Sequence, residues 1–194
     1  MNCDASLKSE LRRAALARRA ALPAGSRAAF SARLKAQGLS LARRFGSRAV
    51  SAFYPVRDEP DTLGLLELLA SAGVATALPV TVARGEPLVF RRWRPGEPTV
   101  PGQLRIPEPP AEAPALDPDL LFVPLSAFDR RGHRIGYGAG HYDRTLAALR
   151  ALKPIVAVGV AYGVAEIAAA PDEPHDQRLD YVLTDSELIE TKAG

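Results

Sequence analysis

The sequence predicts an α/β fold: a single domain with a mostly parallel sheet, helices on both of its faces, and two N-terminal helices ahead of it. Three observations predict it. From residue 49 onward, apolar runs of strand length alternate with helical patterns, and strand–helix–strand succession builds parallel sheets covered on both sides. The first 48 residues instead hold two successive helical patterns. The 194 residues show no internal repeat and no dividing linker, so 1–194 is expected to be one domain. A chain of this length can bury a core without staples, and 47% apolar with 24% charged residues is globular composition.

The elements follow in order. Over 5–21, Leu7, Leu11, Ala14, Ala15 and Leu22 recur near the helical period, with Ser6 as a candidate cap. Lys8 and Arg12, four apart, share one face of that helix. Pro23 and Gly25 break it. A second helix is predicted from about Arg27 to Phe45, with Phe30, Leu34, Leu41 and Phe45 on its apolar side and Gly46 ending it. Ala49–Tyr54 reads as a buried strand, and Asp61–Ala72, rich in leucine, as a helix stopped by Gly73. Val74–Pro79 is the next strand, and Leu88–Trp93 an edge strand or hairpin arm. Residues 94–118, rich in Pro and Glu, read as a long surface connector. Asp119–Pro124, Ile155–Tyr162 and Tyr181–Thr184 are the remaining strands, with a helix at Tyr142–Leu152.

Charge is uneven. Residues 1–48 carry eleven Lys and Arg against Asp4 and Glu10, although the whole chain is only +3. A transit peptide, a nucleic-acid patch or a solvated helix face would each give this pattern. The basic pattern spans two helices, too long for a short leader. The only aromatic residues among these arginines, Phe30 and Phe45, stand at core spacing, whereas a nucleic-acid surface interleaves aromatics with its cations. A solvated face that also supplies anion ligands fits best. No stretch approaches the roughly 18 apolar residues of a membrane helix. Cys3 is the single cysteine, which fits a reducing, cytoplasmic setting.

The chemistry concentrates in Arg134–Arg144 (RIGYGAGHYDR). Alternating Gly136, Gly138 and Gly140 let the backbone aim successive N–H groups at one anion. The helix that follows adds free N–H groups and a favourable dipole. Arg134 and Arg144 bracket the loop and can fork onto phosphate oxygens. Asp143, directly after the glycines, is a carboxylate placed to hold Mg²⁺ beside phosphates. The plainer alternative is a glycine-rich turn with Asp143 as a helix cap. Neither a Walker loop, which needs a Gly-Lys-Ser/Thr ending, nor a dinucleotide fingerprint, which needs G-x-G-x-x-G and a later acid, matches.

With its flanks the loop becomes specific. Phe122–Arg144 (FVPLSAFDRRGHRIGYGAGHYDR) resembles the signature of the 5-formyltetrahydrofolate cyclo-ligase family. Lys8–Arg12 (KSELR), Phe53–Thr62 (FYPVRDEPDT), the pair Phe90 and Trp93, and His175–Asp176 stand in the family's order, so the likeness spans nearly the whole chain. The resemblance implies ATP-dependent conversion of 5-formyltetrahydrofolate to 5,10-methenyltetrahydrofolate, with ADP and phosphate released and Mg²⁺ required. The formyl oxygen attacks the γ-phosphate of ATP, and N10 of the folate then closes the ring as phosphate leaves.

Residue by residue, the resemblance implies ATP contacts from Lys8, Arg12 and the run Arg134, Ile135, Gly136, Tyr137, Gly138, Ala139, Gly140, His141 and Tyr142. Tyr137–His141 also face the folate, Glu59 binds the pterin, and Tyr54 and Trp93 line its pocket. Asp143 and Asp176 hold Mg²⁺, and Arg134, Tyr142 and Asp143 are the expected catalytic residues. Neighbouring His175 is expected to be a surface or outer-sphere histidine, and His133 a loop residue without chemistry. The expected partners are the two small-molecule substrates, 5-formyltetrahydrofolate and ATP, with no nucleic acid, no membrane and a monomeric chain. Two positions depart from the family pattern: Ala139 replaces a usual glycine, and His141 a usual tyrosine. Ala139 fits if its φ is negative, and His141 could bond a phosphate with a pH dependence near neutrality. A non-catalytic folate or nucleotide binder on the same fold is the competing expectation, although a binder would not need the metal carboxylates.

Overall fold

The computed structural model describes residues 3–103 and 105–191. Two helices, α1 (Cys3–Ala20) and α2 (Ala24–Arg44), precede β1 (Ala49–Ser51), α3 (Leu63–Ser71), β2 (Ala75–Val80) and β3 (Val89–Arg92). Short strands β4 (Val100–Pro101) and β5 (Pro107–Glu108) interrupt the next stretch, followed by β6 (Leu120–Pro124), β7 (Ala127–Phe128) and β8 (Arg134–Ile135). Helix α4 (His141–Leu152), β9 (Val156–Val160), β10 (Tyr181–Leu183) and β11 (Leu188–Glu190) complete the order.

The main sheet runs β11-β10-β9-β6-β1-β2-β3. Its five central strands are parallel, and β3 and β11 close the two edges antiparallel. Period-two alternation sets its faces. On β6, Leu120 and Phe122 join the core beneath α2 and α3, whereas Leu121 and Val123 join the one beneath α4. Both faces are therefore covered, as the unbroken apolar run of β6 requires. α2 and α3 approach closely because Gly38 lacks a side chain: a Cβ there would lie 2.6 Å from Leu65 Cδ1.

Five expectations change. Ser6 lies inside α1 and does not cap it, because the helix already runs from Cys3. β1 leaves its ladder at Ser51, and the chain turns through Phe53 and Tyr54 toward the sheet's carboxyl edge. Residues 94–118 are an ordered connector with structure of its own: β4 pairs β5, and Arg92 N–H and Leu116 N–H bond across to Pro114 and Phe90, covering the β3 edge. The β7–β8 hairpin and β11 had no sequence signal, being two and three residues long. The solvated-face reading of the N-terminal cations is narrowed: most are exposed as expected, but several also tie the helices to the body. Arg18 donates to the Val164 carbonyl (2.7 Å), Arg33 to that of Thr184 (3.1 Å), and Arg44 lies over the Tyr181 ring. No helix among the described residues is long and apolar enough to cross a membrane.

Candidate active site

The carboxyl ends of β1, β2 and β6 open into a cleft of about 660 Å³, where parallel sheets place their ligands. α1 forms one wall. Its inward positions Lys8, Leu11, Arg12, Ala15, Leu16 and Arg19 follow the helical period, and the residues between them are exposed. The loop 136–140 forms a second wall, and residues 53–59 a third.

One end of the cleft is ionic. Lys8 Nζ lies 3.0 Å from Glu173 Oε1 and 3.2 Å from Asp176 Oδ2. Burial alone would lower the Lys8 pKa, but these two carboxylates hold it above the ordinary lysine value. Arg134 Nη2 is 2.7 Å from Asp143 Oδ1, which also accepts the Gln177 N–H at 3.0 Å. The Arg134 guanidinium donates its other arm to the Gln177 carbonyl. Burial pulls the Arg134 pKa down, against the pull of Asp143, Asp176 and Tyr142. The arginine stays charged because its ordinary value is so high.

The glycine loop joins this end to α4. Gly138 has φ of +96° and Gly140 +66°, conformations that disfavour a side chain. Ala139 does not adopt positive φ, so the departure from glycine carries no backbone penalty. Gly140 starts α4 and contributes no side-chain cap, and Asp143 in the first turn is turned to Arg134. Arg12 Nε donates to the Gly136 carbonyl at 2.6 Å, and Arg144 to that of Ala139 at 3.2 Å, so two arginines brace the loop from either side. His141 is pinned: its Nδ1 lies 2.9 Å from the Glu86 carbonyl and must carry the proton it donates there.

The other end is buried and nearly neutral. Glu59, 8% exposed, accepts the Tyr137 hydroxyl on Oε1 and the Val56 N–H on Oε2 at 3.0 Å. Burial raises its pKa, against these two hydrogen bonds and the Arg19 charge. Tyr137, pushed up to about 12 mainly by burial and by Glu59, remains a hydrogen-bond donor. Tyr142 is raised further for the same two reasons, burial first. Tyr54 lines the cleft and meets Trp93 edge to face behind it, with centroids 6.3 Å apart.

Of the predicted residues, the fold brings together Lys8, Arg12, Tyr54, Glu59, Arg134–Asp143 and Asp176. Trp93 is the exception and does not line the cleft. It is 4% exposed, donates Nε1–H to the Glu97 carbonyl, and borders a separate cleft with Pro98, Pro110 and Pro114. β3 pairs with β2, and that places the indole one layer behind Tyr54. His175 is exposed, 3.7 Å from Asp176 and 3.8 Å from Glu173. His133 accepts from Arg178 Nε at 3.1 Å, away from the cleft.

Three site residues escaped the sequence reading. Arg19 stands seven residues after Arg12 on the same face, so its spacing was the available signal. Glu173 lies three residues before Asp176, in a polar stretch with no pattern. Glu108 is buried and accepts the Thr81 N–H at 3.1 Å, and a Cβ at Gly102 would overlap its carboxylate. That contact joins β5 to the end of β2, a long-range pairing no local pattern announces.

Comparison with known proteins agrees with this arrangement. The model of the 5-formyltetrahydrofolate cyclo-ligase family matches residues 4–185. The Mycolicibacterium smegmatis 5-formyltetrahydrofolate cyclo-ligase is 35% identical over 187 residues, 91% of this chain and 93% of that protein. The Escherichia coli protein of the same name is 35% identical over 150 residues, covering 74% and 81%. The solution structure of Aquifex aeolicus 5,10-methenyltetrahydrofolate synthetase superposes with a TM-score of 0.80 at 27% identity, over 97% of this chain and 94% of that one. A Mycoplasma pneumoniae 5,10-methenyltetrahydrofolate synthetase, 20% identical, shares the fold at a TM-score of 0.70 over 95% and 99%. A signature loop, a sheet-edge cleft and whole-length similarity thus coincide, and this chain belongs to the 5-formyltetrahydrofolate cyclo-ligase family.

Proposed function

We propose that this chain converts 5-formyltetrahydrofolate and ATP to 5,10-methenyltetrahydrofolate, ADP and phosphate in the cleft at the sheet's carboxyl edge. The observation that carries the reading is the two-sided loop 136–140. Its Gly136 carbonyl is held by Arg12 at the ionic end, and its Tyr137 hydroxyl reaches Glu59 at the buried end. Two substrates on either side of one short loop have their reacting atoms brought together, and positioning is most of what phosphoryl transfer requires.

At the ionic end, Lys8, Arg12 and Arg134 bind the phosphates, with the uncapped start of α4 aimed at the same charge. The formyl oxygen attacks the γ-phosphorus and ADP departs. N10 then attacks the formyl carbon and gives up its proton to solvent, and phosphate leaves with the former formyl oxygen. Arg134 stays charged while spreading the developing negative charge. At the buried end, Glu59 accepts N–H donors of the pterin, and Tyr54, backed by Trp93, supplies an aromatic wall. Tyr142, held protonated, is a neutral donor beside the loop.

Asp143 and Asp176 are the residues that would hold Mg²⁺. No group of three or more metal-type ligands occurs among the described residues. Two carboxylates suit an ion that takes its remaining ligands from phosphates and water. When bound, that ion supplies charge neutralisation on the transferring phosphoryl group. A cytoplasmic location and action as a monomer belong to the same reading. A non-catalytic binding role is not favoured, since the family match runs over residues 4–185 and the relatives it resembles carry the name of the ligase.

The test is direct. Purified protein with ATP, Mg²⁺ and 5-formyltetrahydrofolate should develop the absorbance of the methenyl product and release one ADP per product. Folded protein that forms neither would refute the proposal.

A further inference from the structure

α1 carries three cations on its inward face: Lys8, Arg12 and, seven residues on, Arg19. The first two meet acidic groups and the loop backbone at the ionic end. Arg19 meets neither. It is 6% exposed, and both its Nη atoms lie 3.3 Å from the Tyr137 hydroxyl oxygen. Its Nε, fully buried, has no partner among the described residues. Among the described residues no carboxylate forms an ion pair with it, an expensive arrangement for a buried cation. The same hydroxyl donates to Glu59 Oε1. Arg19, Tyr137 and Glu59 therefore form a chain running from the α1 wall to the buried carboxylate.

We propose that Arg19 is a positioning residue for the folate: through Tyr137 it fixes the Glu59 carboxylate in the orientation that receives the pterin. The inference rests on the reading that Glu59 binds the pterin. The geometry supports it at each link. A phenol oxygen that accepts two guanidinium N–H groups has its own hydrogen directed away from them, toward Glu59. The Val56 N–H holds Oε2, so the carboxylate is fixed at both oxygens. Each oxygen still keeps a lone-pair direction for a ligand N–H. Arg19 lies nearer the helix's C-terminal end than Arg12, and its side-chain hydrogen bonds go to the Tyr137 hydroxyl, on the Glu59 side of the loop, not to Arg134, Asp143 or Asp176. Its loss should therefore act on one substrate only.

Michaelis constants for both substrates, measured on Arg19→Lys, Arg19→Leu, Tyr137→Phe and Glu59→Gln, test this. Arg19→Leu should raise KM for 5-formyltetrahydrofolate about tenfold and leave KM for ATP within about twofold. Arg19→Lys, which keeps the charge and loses the fork, should recover part of the loss. Adding Arg19→Lys to Tyr137→Phe should change little beyond the effect of Tyr137→Phe alone, because both act through one hydroxyl. Should Arg19→Leu fail to fold, Arg19→Lys and the double variant still decide. A rise in both Michaelis constants together, or an unchanged folate KM in Arg19→Lys while Glu59→Gln raises it, would overturn the role of Arg19. An unchanged folate KM in Glu59→Gln would instead remove the pterin reading, and the inference with it.

Discussion

The two ends of the cleft solve opposite electrostatic problems. At the ionic end, cations and carboxylates are paired directly: Lys8 sits between Glu173 and Asp176, and buried Arg134 against Asp143. Each partner can be exchanged for a phosphate oxygen or a metal with little net desolvation. At the buried end, Glu59 has no direct cationic partner. Its charge is held by a phenol, a backbone N–H and Arg19 one step removed, and burial keeps its pKa raised. Highly charged ligands suit groups that can switch partners. A ligand that offers neutral N–H donors suits an acceptor fixed in advance, even though a buried carboxylate is costly to the fold.

The largest effect should come from breaking the ionic end. Asp143→Asn keeps the shape, removes the carboxylate proposed to hold the metal, and takes from buried Arg134 its paired charge. Turnover should fall by about 100-fold or more, with the far-ultraviolet circular dichroism unchanged. Retained activity would show that the carboxylate does not serve the metal. Glu59→Gln, at the other end, should raise KM for the folate roughly 10- to 100-fold with KM for ATP unchanged.

The same Glu59 variant separates the two ends by pH. A carboxyl whose folded pKa is raised takes up protons on folding, so its contribution to stability grows as pH falls through that value toward the unfolded 4.5. The melting temperature of the wild type should thus rise relative to Glu59→Gln between pH 7 and pH 5, and a constant difference would contradict the raised pKa. Asp129 behaves oppositely. Burial would raise it, but the Ala170 N–H, the Arg131 guanidinium and the His133 N–H hold it below the usual range. Its contribution is complete above the unfolded 3.8 and is lost as pH falls through the folded value.

Gly138→Ala tests the loop between the ends. Its φ of +96° is strained for alanine, by about 1–3 kcal/mol, so both Michaelis constants should rise. The smallest effect belongs to Trp93→Phe, which should change KM for the folate less than about threefold, since the ring packs behind Tyr54 and an aromatic replacement preserves that backing. A larger change would return the indole to the pocket wall.

The contrast also explains what the sequence revealed. Elements with a strong period were legible: the inward face of α1, the unbroken strand of β6, and the helix after the glycines. Residues joined to the site by local spacing, Lys8 with Arg12 and the loop with Asp143, were found together. Glu108 was not, because it reaches the cleft through Thr81 on another strand, and only the folded chain brings them together. Arg19 was counted among solvated arginines because burial, unlike periodicity, depends on what the opposite wall supplies. Trp93 sits one layer back for a related reason: the chain after β3 places it behind Tyr54, a depth that no sequence pattern records.

One small feature of α4 reaches beyond the site. The helix begins at a left-handed glycine with no side chain to satisfy its first N–H groups. A serine or aspartate could not serve as the cap there without strain, because φ is +66° and a Cβ would lie 2.7 Å from Arg144 Nη1. The bare glycine leaves the first turn to be completed by an anion, so ligand occupancy and the folding equilibrium become one linked process. Saturation at a hundredfold over the dissociation constant adds about 2.7 kcal/mol, and some of that gain is the helix acquiring the cap its own sequence omits. With the phosphates of ATP bound there as proposed, the co-substrate would stabilise the very fold that consumes it.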